Sequence, residues 1–267
     1  MIDKFQIEIC AGSLSDLLTA DAFDEVDRVE FNSALELGGL TPSYGSFLQA
    51  REKSKKRIIC MVRPRAAGFV YNEDEKNTMF RDAQLFLDAG ADGIVFGFLN
   101  PDHTVDEETT AKMVSLIHGY GKEAVFHKAF DETPDPFQAA ETLINLGVQR
   151  ILTSGQKADV IAGIDLLTKL QNAYGSQIEI LPGGGVKADN IVALLDTTGC
   201  MQFHMSAKET RNDSGSYPAV SADNIRKVLV NLQAALHQEN TLTREDQDML
   251  RNDSFENIDW NDEDERP

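Results

Sequence analysis

Five side chains in this sequence carry the chemistry of proton transfer and anion binding: Glu8, Glu30, Arg63, His127 and His204. Four of them sit in short apolar runs whose residue types alternate, and alternation assigns a facing. In Phe5-Gln6-Ile7-Glu8-Ile9-Cys10 the apolar Phe5, Ile7 and Ile9 share one face, while Gln6, Glu8 and Cys10 share the other. Asp27-Arg28-Val29-Glu30-Phe31-Asn32 turns Arg28, Glu30 and Asn32 away from Val29 and Phe31. His127 follows the apolar Phe126, and His204 shares a face with Gln202 and Ser206, opposite Met201, Phe203 and Met205. Arg63 closes Ile58-Ile59-Cys60-Met61-Val62, a run without clear parity, just before Pro64. If the apolar faces pack outward, two carboxylates, two imidazoles and a guanidinium converge inside. A set of this kind shifts pKa values toward neutrality and supports acid–base work. The alternative for the same residues is an internal salt-bridge network, with Glu8 and Glu30 paired to Arg63 and the two histidines and no chemistry attached.

The elements that must position these residues follow from a cadence. Eight apolar runs of strand length, Phe5–Cys10, Asp27–Asn32, Arg57–Arg63, Gly93–Gly97, Glu123–Ala129, Gln149–Ser154, Gln177–Pro182 and Cys200–Ser206, alternate with helical windows. Phe80, Ala83 and Leu87, and again Ala139, Leu143 and Leu146, have the spacing of a helix face that covers a sheet. Eight such alternations within residues 1–236 predict an α/β fold of the (β/α)8 TIM barrel type. A doubly wound open sheet is the competitor, and it does not require the count to close at eight. In a barrel the strand ends meet at one face, which is where the five residues would converge.

The turns after the seventh and eighth runs carry a second signal. Pro182-Gly183-Gly184-Gly185-Val186 places three glycines between a strand and a helix expected to begin near Lys187-Ala188-Asp189. Such a loop exposes backbone N–H groups at the barrel mouth, where many barrels hold a phosphate. The eighth turn adds Ser206, Lys208 and, farther on, Arg211. Gly183, Gly184, Gly185, Ser206, Lys208 and Arg211 are therefore the expected anion-binding set.

Composition sets the outer limits. With 267 residues, 42% of them hydrophobic, the chain can bury a full core, and no apolar stretch approaches the roughly 20 residues of a membrane span. A net charge of −19 argues against nucleic acid as a partner. Met1-Ile2-Asp3-Lys4 runs straight into the first apolar run and leaves no room for a signal peptide, so a cytoplasmic location is expected. Cys10, Cys60 and Cys200 make no paired spacing and read as reduced thiols. From His237 to Pro267 eleven acidic residues face three basic ones, without a helical stripe. Residues 237–267 are expected to be a flexible acidic tail, or a docking segment anchored by Trp260.

Several stretches together resemble one family. Glu8-Ile9-Cys10, Glu36-Leu37-Gly38-Gly39-Leu40-Thr41-Pro42-Ser43, Met61-Val62-Arg63-Pro64-Arg65, Asp92-Gly93-Ile94-Val95-Phe96-Gly97, Phe126-His127-Lys128-Ala129-Phe130-Asp131, Ile151-Leu152-Thr153-Ser154-Gly155, Pro182-Gly183-Gly184-Gly185 and Phe203-His204 look like the CutC family in order over residues 3–235. The resemblance implies a (β/α)8 barrel, a cytoplasmic location, a homodimer and a role in copper homeostasis, with copper(I) bound in some members. Members proposed to bind copper carry a second cysteine at the end of strand two, where this chain has Asn32.

Copper(I) prefers soft thiolate and thioether ligands. Cys10 ends the first run on its inner face and is the expected metal ligand, with His127 or His204 available to supply an imidazole nitrogen in place of the missing thiolate. Cys60 falls mid-strand and Cys200 at the opposite end of strand eight, while Met61, Met201 and Met205 suit gap-filling in the core. No Cys-x-x-Cys, His-x-x-x-His or calcium-type loop occurs. Two expectations follow. One is a copper(I) protein built on Cys10. The other is an isomerase, epimerase or lyase acting on a small anionic or phosphorylated molecule, with Arg63, Lys208 and the glycine loop holding the anion and Glu8, Glu30 and His127 sharing proton transfer.

Overall fold

A computed structural model describes residues 5–236. The acidic segment 237–267, with Trp260, lies outside the described residues. Each expected run forms a strand, with ends that differ from the sequence reading by a few residues. These are β1 Gln6–Ala11, β2 Val26–Phe31, β3 Arg57–Met61, β4 Gly93–Phe96, β5 Glu123–Phe126, β6 Arg150–Thr153, β7 Glu179–Pro182 and β8 Gln202–Met205. All pair in parallel in the order β7-β6-β5-β4-β3-β2-β1-β8. A parallel bridge between Gly183 and His204 joins the two ends, so the sheet closes. Followed from Cys10 through its partners Glu30, Ile59, Gly93 and Glu123 and on around the barrel, the register returns to β1 about eight residues earlier, the shear of a (β/α)8 barrel.

Seven helices follow the first seven strands: α1 Leu14–Asp21, α2 Tyr44–Lys53, α3 Glu73–Asp88, α4 Glu107–Gly119, α5 Pro136–Asn145, α6 Ile164–Tyr174 and α7 Ile191–Thr198. An eighth covers 222–236. Local chemistry sets where they begin. Asn72 and Glu75 close a reciprocal capping box on α3, and Asp135 caps α5, whose first residue, Pro136, needs no N–H partner. Between helices and sheet lies the main core, including Ile7, Ile9, Val29, Phe31, Ile58, Cys60, Ile94, Phe126 and Phe203. This is the outward facing that alternation predicted for β1, β2, β5 and β8.

The lumen is divided. Ile59, Met61, Val95 and Val125 form a small apolar cluster on the β3–β5 side, which resolves the facing of the third run. At the N-terminal ends of the strands, polar side chains form a closed ring. Arg57 and Arg150 both donate to Glu123, Arg150 and Arg28 both donate to Gln202, and Arg28 and Arg57 both donate to Gln6. The polar residues of β1, β2 and β8 therefore continue upward from a satisfied floor toward the mouth.

Two expectations about the mouth need correction. The helix after β7 begins at Ile191, not near Lys187, because Asn190 folds back to accept from the Lys187 N–H and donate to the Gly185 carbonyl. That closes residues 185–190 as a turn. After β8 the chain does not pass directly into a helix but makes an antiparallel hairpin, β9 Lys208–Asn212 and β10 Ser216–Val220. Val220 N–H is anchored by Asp16 of α1 at 2.7 Å. The exposed, polar β9 lacks the apolar alternation that marks a strand in sequence.

Candidate functional site

The C-terminal halves of β1, β2 and β8 bring Glu8, Cys10, Glu30, Asn32 and His204 together. Glu8 is the hub: its Oε2 accepts from Arg28 Nε at 2.5 Å and its Oε1 from His204 Nδ1 at 2.7 Å. A carboxylate accepts only, so His204 carries its proton on Nδ1 and turns Nε2 toward Glu30 Oε2, 3.8 Å away. Cys10 Sγ donates to the same Oε2 at 3.5 Å, and Asn32 Nδ2 donates to Oε2 at 2.8 Å and lies 3.6 Å from the sulfur. Ligand atoms of Cys10, Glu30 and His204 all lie within 4.8 Å of one another.

Burial sets the electrostatics. Burial raises the Glu8 pKa, but Arg28 and His204 outweigh it and hold the carboxyl well below the usual range. Glu30 is pushed up, by burial first and by the neighbouring Glu8 charge, against the pull of His204. His204 is raised, since Glu30 and Glu8 more than offset its burial. The Cys10 thiol is pushed well up by burial and then by Glu30. One carboxylate is thus fixed as an anion that orients the imidazole, and the other shares its space with a thiol and an imidazole nitrogen.

The other expected residues lie apart from this cluster. His127 directly follows β5 on the opposite wall, where its Nδ1 accepts from the Ala129 N–H at 3.1 Å and leaves the Nε2 proton buried and unpartnered. Burial, and then Arg63, lower its pKa to about 3, so it is a neutral donor. Gly97 makes room for it: a Cβ there would stand 2.5 Å from His127 Cε1. Among the described residues Arg63 pairs with no carboxylate, contrary to the network considered from sequence. Its Nη1 and Nη2 donate to the carbonyls of Gly38, Gly39 and Ala67, and the guanidinium stacks on Phe69, so it ties the second and third loops together.

Gly184 and Gly185 have φ of +105° and +86°, conformations that only glycine adopts without strain. Gly183 donates to Thr153 O at 2.9 Å. Ser206 and Lys208 line a cavity of about 440 Å³ shared with Gly185 and Lys187, and also a second cavity of about 560 Å³ with Cys10 on its wall. Arg211, on the hairpin, donates to Glu209 and lines neither. Cys60 and Cys200 are buried away from the cluster, as expected. Arg28 is the functional residue missing from the candidate set. Alternation had put it on the inner face, and an unpaired arginine there was the available signal.

The chain matches the CutC family over residues 5–209. It belongs to that family. A CutC family protein from Treponema denticola is 43% identical over 210 residues, covering 79% of this chain and 84% of its own. One from Bacteroides thetaiotaomicron is 39% identical over 215 residues, covering 80% and 85%. Among solved structures, a Streptococcus agalactiae CutC proposed to be a copper homeostasis protein superimposes with a TM-score of 0.71 at 32% identity, covering 76% of this chain and 98% of that one. An N-(5'-phosphoribosyl)anthranilate isomerase from Pyrococcus furiosus, at 11% identity and a TM-score of 0.55, shares the fold alone. The family match spans β1 to the start of the hairpin, and so includes every strand that contributes to the cluster.

Proposed function

We propose that this CutC family member binds copper(I) at Cys10 and His204, with Glu30 as the third donor, and serves copper homeostasis in the cytoplasm. The observation that carries the reading is the approach of three donor atoms of different residues within 4.8 Å beside a carboxylate that orients the imidazole. Ligating histidines characteristically donate their other N–H to such a carboxylate, which fixes the tautomer and raises ligand basicity. Thiolate and imidazole suit copper(I), while a carboxylate oxygen is the harder member of the set. Asn32 turns its amide N–H toward the sulfur, so it supports a thiolate by donation instead of replacing the second cysteine as a ligand. The cavity beside Cys10 supplies a route for the ion.

The test is an anaerobic competition for copper(I) against a chromogenic chelator, with Cys10→Ser and His204→Gln alongside the wild type. Tight one-to-one binding that is lost in Cys10→Ser and weakened in His204→Gln is the expected result. No competition by the wild type rejects the reading.

A further inference from the structure

We propose that the barrel mouth also binds a small phosphorylated, hydroxyl-bearing compound: its phosphate sits between the seventh and eighth loops, and its polar body reaches into the lumen. This goes beyond the copper reading and does not depend on it.

The phosphate end is argued from the cavity of about 440 Å³ walled by Gly185, Lys187, Ser206, Lys208 and Asn224. Among the described residues, the amides of Gly185 and Val186 donate to no protein group, and neither Lys187 nor Lys208 pairs with a carboxylate. A third cation is close, since Lys128 Nζ stands 3.2 Å from where a Cβ of Gly184 would be, although it also pairs with Asp131 at 3.7 Å. The nearby acids are largely committed. Asp159 accepts from the Ile161 and Ala162 amides, and Asp131 from Ser154 and Gln156, which leaves Asp189 as the acid on the cavity wall. Backbone donors, a hydroxyl and ammonium groups are the chemistry that recognises an oxyanion.

The body of the ligand is argued from buried polar atoms that have no partner. His127 Nε2, Asn32 Oδ1 and Glu30 Oε1 are buried without a hydrogen bond, on side chains no more than 3% exposed. The barrel's stagger brings Cys10 and His127 to one level on facing walls, with Gly183 giving up its side-chain space there to Leu152 and His204. Orphaned buried donors and acceptors are costly unless something meets them. The His127 donor just past β5 and the Glu30 acceptor on β2 match a compound that carries both a carbonyl or ether oxygen and hydroxyl groups, whereas Asn32 Oδ1 is turned to Gly39. Ser206 and Lys208 line both the phosphate cavity and the cavity beside Cys10, so a single molecule can span the two; the linings reach Cys10 and include none of His127, Asn32 and Glu30, and the body meets His127 and Glu30 by entering the lumen past Cys10.

The experiment is calorimetric titration of the metal-free protein, held in chelator, with inorganic phosphate, ribose 5-phosphate and ribose, repeated on Lys208→Glu and Ser206→Ala. The expected result is that the two phosphates compete for one site, that ribose 5-phosphate binds about tenfold or more tightly than inorganic phosphate, and that Lys208→Glu weakens both by about tenfold or more. The chelator keeps copper out of the titration, which separates this site from the copper site. No binding of either phosphate at millimolar concentration, or binding indifferent to both Lys208→Glu and Ser206→Ala, overturns the proposal. Equal affinity for inorganic phosphate and ribose 5-phosphate overturns the extension into the lumen.

Discussion

Two histidines in one lumen are held in opposite states by what surrounds them. His204 is raised by two carboxylates, and His127 is lowered to about 3 by burial and by Arg63. The second has a direct consequence for stability. In the unfolded chain His127 takes its proton near the ordinary value of 6.5, whereas the folded state refuses it until about pH 3. The unfolded state therefore gains protons first, and stability falls as pH drops from about 6.5 toward 3, by up to about 1.4 kcal/mol per pH unit for this group. Above about pH 6.5 the contribution vanishes. His127→Gln removes it, so the variant is expected to lose less stability than the wild type between neutral pH and about pH 4 in urea unfolding. Parallel acid slopes in the two proteins would show that the imidazole is protonated in the native state as well.

At the scale of elements, each strand divides its duties along its length. The N-terminal ends of β2, β3, β5 and β6 supply Arg28, Arg57, Glu123 and Arg150 to the ring, while the C-terminal ends of β1, β2 and β8 supply the site. Arg150 is almost fully buried and donates to Glu123, Glu179 and Gln202. Arg150→Leu takes a donor from each of three acceptors, of which Glu123 keeps Arg57 and Gln202 keeps Arg28. Glu123 and Glu179 retain some solvent, so the expected cost is about 2–3 kcal/mol, below the range for a fully buried pair. Denaturant midpoints should shift accordingly while copper(I) stoichiometry stays unchanged, because Glu8 keeps Arg28. A loss of copper binding with the fold intact would mean that floor and site act as one unit.

For the whole molecule, no helix among the described residues is long and apolar enough to cross a membrane. The chain carries −19 overall, and eleven of its acidic residues lie beyond the barrel in 237–267. If that segment only solvates, deleting residues 240–267 leaves the melting temperature unchanged. A drop of several degrees would instead point to docking through Trp260. The homodimer implied by the family resemblance belongs to the same scale.

Strand periodicity, and with it the barrel, was legible because alternation and helix spacing are local properties that survive in any order of assembly. The inward set of β1, β2 and β8 was legible for the same reason: two residues per repeat fix a face once one side is apolar. Family motifs likewise placed Cys10 and the glycine loop in the right elements. Pairing was not legible, because it depends on stagger between strands distant in sequence. Only the closed register could bring Glu8 to Arg28 and His204, separate Arg63 from Glu8 and Glu30, and set His127 against the opposite wall. The hairpin β9–β10 escaped for a different reason. Its strands are polar and exposed, and what holds them is backbone pairing and the anchor to Asp16, neither of which leaves a periodic trace in sequence. The residue types thus determined a lumen with charge in it, and tertiary geometry decided which of those charges neutralise each other.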